Sequence, residues 1–91
     1  MQRQGFSAVL MENRDFEIET IYVPAKRRRT LEPARVEELA AGILEDGQKT
    51  PIRVRADGER FVLVEGLHRL EACKALGETT IVGVVVQTPG R

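Results

Sequence analysis

The stretch that decides the fold is residues 61–77, which reads Phe-Val-Leu-Val-Glu-Gly-Leu-His-Arg-Leu-Glu-Ala-Cys-Lys-Ala-Leu-Gly. Its first four residues are typical of a β-strand, and the residues after Gly66 are typical of an amphipathic helix. The pattern predicts a strand that turns at Gly66 into a helix over residues 67–76, with Gly77 closing that helix. This strand–glycine–helix corner is the predicted centre of the domain.

The start of this helix is a natural place for an anion. The first backbone N–H groups of a helix have no intrahelical partner, and the helix dipole places partial positive charge there. Gly66 lets the backbone approach a phosphate closely, and His68 and Arg69 lie in the first helical turn. Cationic side chains oppose the dipole at this position, so a bound anion would offset their unfavourable charge. The alternative, in which Gly66 is only a turn residue and the other two are surface side chains, stays open at this point.

The composition indicates one small domain of ordinary globular type. The chain has 91 residues, a formal net charge of zero and a single cysteine. One cysteine excludes an intrachain disulfide framework and fits a reducing compartment, so we expect a cytoplasmic protein. No apolar run approaches the length of a membrane span, so no membrane partner is predicted. The cations are clustered locally, in the run of four from Lys26 to Arg29.

The chain before the first helix predicts strands and a loop. Residues 1–15 form an N-terminal segment, in which Phe6 to Met11 are compatible with a short edge strand and residues 12–15 read as a turn. Residues 16–23 alternate and predict one strand that ends at Pro24. Residues 25–29 are then expected to form a basic loop.

The first helix has clear start and stop signals. Pro33 suits the first helical position, which makes Glu32 the N-cap, and Gly47 is the predicted C-terminal cap. A core-facing stripe at helical spacing is predicted between them. Its members are Val36, Leu39, Ala40, Ile43 and Leu44.

The rest of the chain completes a single domain over residues 16–87, followed by a tail at 88–91. Residues 52–55 and 60–64 predict a hairpin around Asp57-Gly58, and the apolar run 81–86 predicts a buried strand. The element order is β-α-β-β-α-β, which indicates an α/β (α+β) fold. Ferredoxin-like domains share this order, so the order alone is ambiguous.

Three stretches together resemble the N-terminal domain of the ParB family, within the wider ParB/sulfiredoxin-like superfamily. Residues 23–31 resemble the family's first box, with Arg28 in the place of the box arginine. Residues 43–54 resemble its "sIrexGllqPIvVr" segment, and residues 66–72 stand where the family has GERRxRA. The resemblance implies a single small ParB/sulfiredoxin-like domain.

The same resemblance implies the candidate site residues. Phosphates of a nucleoside di- or triphosphate (CTP, ATP or ADP, with or without Mg²⁺) are expected at Gly66, Leu67, His68, Arg69 and Arg28. Gln48 and Thr50 are candidates for reading the base edge, or alternatively for satisfying the backbone of their loop. Leu67 departs from the pattern, because partition proteins have a glutamate there and sulfiredoxins have their cysteine.

The implied function is a nucleotide-binding regulatory or partition-type module. One alternative is a small phosphotransferase or NTPase with His68 and Glu65 as catalytic candidates, Glu65 also being the candidate Mg²⁺ ligand. Another is a sequence-independent DNA binder or nuclease that uses the basic loop. The family's second phosphate motif and its helix-turn-helix are not found in residues 1–91. Whether the protein is an enzyme, whether it has a partner protein and its oligomeric state stay open.

Overall fold

A computed structural model describes residues 12–86 and has five strands and three helices there. The strands are β1 (Arg14–Glu17), β2 (Ile21–Tyr22), β3 (Ile52–Asp57), β4 (Arg60–Glu65) and β5 (Thr80–Val85). The helices are α1 (Ala25–Arg28), α2 (Pro33–Asp46) and α3 (Leu67–Ala75). The predicted α+β class is confirmed. The predicted edge strand at Phe6 to Met11 and the tail at 88–91 lie outside the described residues.

The five strands form one mixed sheet in the order β1-β5-β3-β4-β2. β1 pairs antiparallel with β5, β5 parallel with β3, β3 antiparallel with β4, and β4 parallel with β2. An open five-stranded sheet would hold its edge strands about 19 Å apart. The three residues that join β1 to β2 span only about 14 Å. The sheet therefore has to curl, and the rings of Phe16 on β1 and Phe61 on β4 indeed meet at a centroid distance of 5.0 Å.

The prediction of a turn at 12–15 and one continuous strand over 16–23 is wrong. Arg14 and Asp15 already belong to β1, and a 3-10 turn at Ile18–Thr20 separates the two edge strands. The turn is stabilised locally, because the hydroxyl of Thr20 donates to the carbonyl of Glu17 at 2.7 Å. Its three residues shift the inward-facing positions out of strict alternation. The buried residues are Phe16, Ile18, Ile21 and Val23.

The predicted basic loop is also different, because residues 25–28 form the one-turn helix α1. The N–H groups of Arg27 and Arg28 donate to the carbonyl of Pro24, which starts the turn. Successive residues of a helix point in directions about 100° apart. The cations Lys26, Arg27 and Arg28 therefore point in different directions around α1.

The ends predicted for α2 are confirmed, but its apolar stripe is not buried as expected. Glu32 has the extended backbone of an N-cap, Pro33 is the first helical residue, and Gly47 at φ +81° closes the helix through an N–H bond to the carbonyl of Ile43. No residue of α2 is buried, and Leu44 is 76% exposed. The reason is that α2 packs against α3, whereas α3 packs against the sheet.

The core lies between the curled sheet and α3. Its largest fully buried side chains are Ile52, Val54, Leu63, Leu70 and Ile81. Ile52, at the start of β3, lies directly below the point where β4 turns into α3. None of the helices in residues 12–86 has the length and apolar character needed to cross a bilayer.

Candidate functional site

The predicted strand–glycine–helix corner is present at the end of β4. Gly66 is the N-cap of α3, with φ +112° and ψ 29°, and no side chain caps this end of the helix. Its carbonyl accepts the first helical bond from the N–H of Leu70 at 2.9 Å. The N–H groups of Leu67, His68 and Arg69 therefore have no partner within the helix. They form a small group of backbone donors at the positive end of the helix dipole.

The missing side chain of Gly66 serves the core. A Cβ built at this position would lie 2.7 Å from Cγ2 of Ile52 and 3.0 Å from its Cβ. The backbone conformation is also one that L side chains rarely adopt. Glycine is thus required here by packing and by φ, whether or not a phosphate binds to the other side of the corner.

Leu67 and Cys73 point into the core. Leu67 is 7% exposed and Cys73 is 3% exposed. Leu67 can therefore offer an anion only its backbone N–H. Burial raises the pKa of the Cys73 thiol above its ordinary value of 9.0, the Glu78 carboxylate adds to the rise, and Arg69 opposes it. A buried, protonated thiol is a packing group with little reactivity.

His68 makes a contact that the sequence did not indicate. Its Nε2 accepts a hydrogen bond from the backbone N–H of Glu32 at 3.0 Å. Glu32 is the N-cap of α2, and its side chain makes no capping hydrogen bond to the helix. His68 thus links the start of α3 to the start of α2. Because the two residues are 36 positions apart, no local pattern carries a signal for this bond.

Arg69 lies in a groove between α3 and the C-terminal half of α2. The half-buried arginine shares this groove with apolar residues, with Lys49 and Thr50, and with the two acidic residues Glu38 and Asp46. Among the described residues it makes no ion pair and no side-chain hydrogen bond. The fold therefore brings the second and third resembling stretches together around one guanidinium, and neither carboxylate of the groove forms an ion pair with it. Lys49 is a groove cation that no motif in the sequence indicated.

Gln48 and Thr50, the two candidates for reading the base edge, differ in whether their side chains are free to contact a ligand. The amide nitrogen of Gln48 donates to the carbonyls of Thr50 and Val82, and its oxygen accepts from the N–H of Val82 at 2.9 Å. These bonds favour the alternative given above, in which Gln48 satisfies backbone and ties its loop to β5. Thr50 is exposed and lines the groove of Arg69.

Arg28 and Glu65 are not gathered into that groove. The Nε of Arg28 donates to the carbonyl of Val23 at 3.3 Å, and the side chain lines a separate surface hollow beside Tyr22. The Glu65 side chain is 70% exposed and pairs with Arg53 at 3.7 Å. Within residues 12–86 no three His, Cys, Asp or Glu side chains are grouped closely enough to hold a metal ion.

Comparison with known proteins identifies the class. The curled mixed sheet with α3 starting at a glycine is the ParB/sulfiredoxin-like fold, as the solved structures below illustrate. The family model for the ParB N-terminal domain matches residues 6–91, so this chain belongs to the ParB N-terminal domain family. A comparison with curated protein sequences gives no match.

Three solved structures illustrate the likeness. Sulfiredoxin from Arabidopsis thaliana is 29% identical with a TM-score of 0.75, over 84% of this chain and 85% of that one. A C-terminally truncated chromosome-partitioning protein ParB from Caulobacter crescentus, complexed with CTP-gamma-S, is 28% identical with a TM-score of 0.72. That match covers 85% of this chain but 45% of the ParB chain. A free serine kinase mutant in complex with AMP is 18% identical with a TM-score of 0.73, over 85% of this chain and 32% of the kinase, which shows a shared fold only.

Proposed function

We propose that this chain is a nucleotide-binding module of partition or regulatory type, which holds the phosphates of its ligand beside the start of α3. The observation that carries the proposal is Arg69, a half-buried guanidinium that lines a groove and has no ion-pair partner among the described residues. An arginine can fork onto a phosphate through two parallel hydrogen bonds. The ParB relative complexed with CTP-gamma-S supports a nucleotide as the ligand class.

The groove around Arg69 has two basic and two acidic side chains, and the donors that favour a phosphate are those at its α3 end and at Lys49. The N–H groups at positions 67–69 supply donors at the positive end of α3. Lys49 supplies a second positive charge, since its pair with Asp46 is long at 3.9 Å and largely exposed, and such pairs contribute little. Thr50 lines the same groove and remains the candidate for a polar contact to the base. A Mg²⁺ ion would rely on the ligand phosphates, and Glu65, which precedes Gly66 and lies outside the groove, is the carboxylate proposed for it.

Binding is favoured over turnover by the state of the two catalytic candidates. His68 uses Nε2 as the acceptor of a backbone bond, and Glu65 is exposed and lies outside the Arg69 groove. Leu67, a buried residue, stands where partition proteins have a glutamate. A nucleotide turnover assay with Mg²⁺ distinguishes a binding module from an NTPase or phosphotransferase.

The decisive experiment compares Arg69→Ala with Arg35→Ala, a control that removes an exposed arginine on α2 outside the Arg69 groove. Losing a charge-assisted hydrogen bond weakens binding by about 1.5–3 kcal/mol, which is about a ten- to hundredfold loss of affinity. The measurement is calorimetry with CTP, ATP and ADP, with and without Mg²⁺, after circular dichroism has verified folding. If folded Arg69→Ala binds every nucleotide as well as the parent, the proposal is wrong.

The exposed cations of α1 favour a second candidate, a sequence-independent contact with nucleic acid. Lys26, Arg27, Arg28 and Arg29 are exposed and make no ion pair with a described residue. Phosphate contacts release counterions, so such binding would weaken steeply as salt is raised. Binding of a DNA duplex at several salt concentrations tests this candidate, and a flat salt response would contradict it.

A further inference from the structure

The His68 ring has one nitrogen committed and one nitrogen free. A backbone N–H can only donate, so Nε2 of His68 must carry a lone pair to accept the bond from Glu32. The neutral ring then carries its proton on Nδ1. Nδ1 has no partner among the described residues, and none of their buried side-chain nitrogen or oxygen atoms is left unpaired, so Nδ1 is open to solvent. His68 therefore presents an N–H donor from the first turn of α3.

The residues directly before Glu32 are hydrogen-bonded to the end of α1. The N–H of Leu31, next to Glu32, donates to the carbonyl of Arg28 at 3.2 Å. The N–H and the hydroxyl of Thr30 both donate to the carbonyl of Arg27, at 3.0 and 2.7 Å. The segment from α1 to Leu31, the residue directly before Glu32, is thus joined by backbone and side-chain hydrogen bonds. A contact that fixes Glu32 therefore also restricts the position of α1 and of the cations at 26–29, because Glu32 directly follows the last residue of this bonded segment.

We infer that His68 is a positioning residue that couples occupancy of the phosphate site to the placement of α1. The inference rests on the proposed function. A phosphate oxygen at the start of α3 accepts the Nδ1–H bond of His68, while Nε2 keeps its bond from Glu32. Hydrogen bonds in such a chain polarise and strengthen one another. A bound nucleotide therefore tightens the α1–α2 junction, and by thermodynamic reciprocity a well-held junction raises nucleotide affinity.

Substitutions at His68 separate this role from simple phosphate binding. In His68→Gln the side-chain oxygen accepts from Glu32 and the side-chain nitrogen donates to a phosphate, so both bonds are retained. In His68→Lys the ammonium only donates, so phosphate binding remains while the link to Glu32 is lost. His68→Ala removes both bonds. We therefore expect coupling between the nucleotide and α1 in His68→Gln, and no such coupling in His68→Lys or His68→Ala.

The test uses the trypsin sites that α1 itself supplies. First cleavage after residues 26–29 is followed by mass spectrometry, without ligand and with saturating CTP. First cleavage after Arg55, within β3, serves as the internal reference for global unfolding. Allosteric coupling is typically about fivefold or more. We expect CTP to slow cleavage in α1 by about this factor relative to cleavage after Arg55, in the parent and in His68→Gln but not in the other two variants. Hydrogen exchange of the Glu32 amide should follow the same order.

The outcomes distinguish this inference from the proposed function. If CTP binds by calorimetry but protects α1 equally in the parent, His68→Lys and His68→Ala, the coupling through His68 is wrong and the binding proposal stands. If CTP binds and protects no variant, the coupling is equally overturned. If neither CTP, ATP nor ADP binds to the parent at all, the proposed function fails and the coupling fails with it. His68→Gln guards against a trivial loss of folding in His68→Ala.

Discussion

The substitution Gly66→Ala tests the physical account of the corner most directly. The new Cβ would lie 2.7 Å from Cγ2 and 3.0 Å from Cβ of Ile52, a fully buried residue at the start of β3. Overpacking of this kind destabilises a fold by about 1–3 kcal/mol. Alanine at φ +112° adds backbone strain of about 1–3 kcal/mol. We therefore expect a loss of about 2–6 kcal/mol in the free energy of unfolding.

Two other glycines provide matched controls for this change. Gly77 has φ +82° but no atom within 4 Å of its hypothetical Cβ, so Gly77→Ala carries the strain without the clash. Gly42 lies inside α2 with open space and an ordinary φ, so Gly42→Ala should stabilise the fold by about 0.5–1 kcal/mol.

The assay is urea unfolding of the three variants and the parent, with the slope of the transition checked for two-state behaviour. The expected order of stability is Gly42→Ala, parent, Gly77→Ala and then Gly66→Ala. A Gly66→Ala protein no less stable than Gly77→Ala would refute the claim that Ile52 is what requires glycine at the corner. The close approach of a ligand to the backbone would then be the better explanation for glycine at position 66.

Four further substitutions test the interior, the loop before β3 and the surface of α2. Cys73→Ala should lower stability by about 1 kcal/mol through a small cavity and leave nucleotide affinity unchanged, as measured by urea unfolding and calorimetry. Burial raises the pKa of this thiol in the folded state, so above pH 9.0 the unfolded chain loses the thiol proton while the folded protein keeps it. The free energy of unfolding of the parent should therefore fall as pH rises above 9.0, and the Cys73→Ala variant should lack this pH dependence. Gln48→Ala removes three hydrogen bonds to the backbone of its loop and of β5, and it leaves the N–H of Val82 without that partner. We expect the free energy of unfolding in urea to fall by about 1–3 kcal/mol. An unchanged urea midpoint would contradict the role of Gln48 in tying its loop to β5. Leu44→Ser, at an exposed position, should change the free energy of unfolding by less than about 0.5 kcal/mol. Ile43→Ser, at a position packed against the core, should lower it clearly more. Equal effects of the two substitutions would contradict the face of α2 that the structure places against the core.

Signals that depend on a few neighbouring residues were sufficient for much of this protein. Pro33 and Gly47 mark the two ends of α2 because a proline ring suits the first helical position and glycine accepts a positive φ. The hairpin of β3 and β4, the turn at Gly66 and the helix closed near Gly77 follow from equally local chemistry. The three resembling stretches then led to the family that the comparison confirms.

What only the tertiary structure decided depends on contacts between distant positions. The strand order places β1 and β2 at opposite edges of the curled sheet, so the predicted single strand is divided into two strands around a 3-10 turn. Packing of α2 on α3 leaves Leu44 exposed, although its helical spacing is that of a core residue.

The same holds for the candidate site. Whether a side chain is free to bind a ligand depends on the partner the fold supplies, and that partner can lie far along the chain. His68 receives the N–H of Glu32, and the amide of Gln48 is taken up by Val82, 34 positions away. Arg69 receives no ionic partner among the described residues and stays open to the groove. Residue type and spacing indicate all three as candidates. Only their three-dimensional surroundings distinguish the proposed positioning residue His68, the loop-stabilising residue Gln48 and the proposed phosphate ligand Arg69.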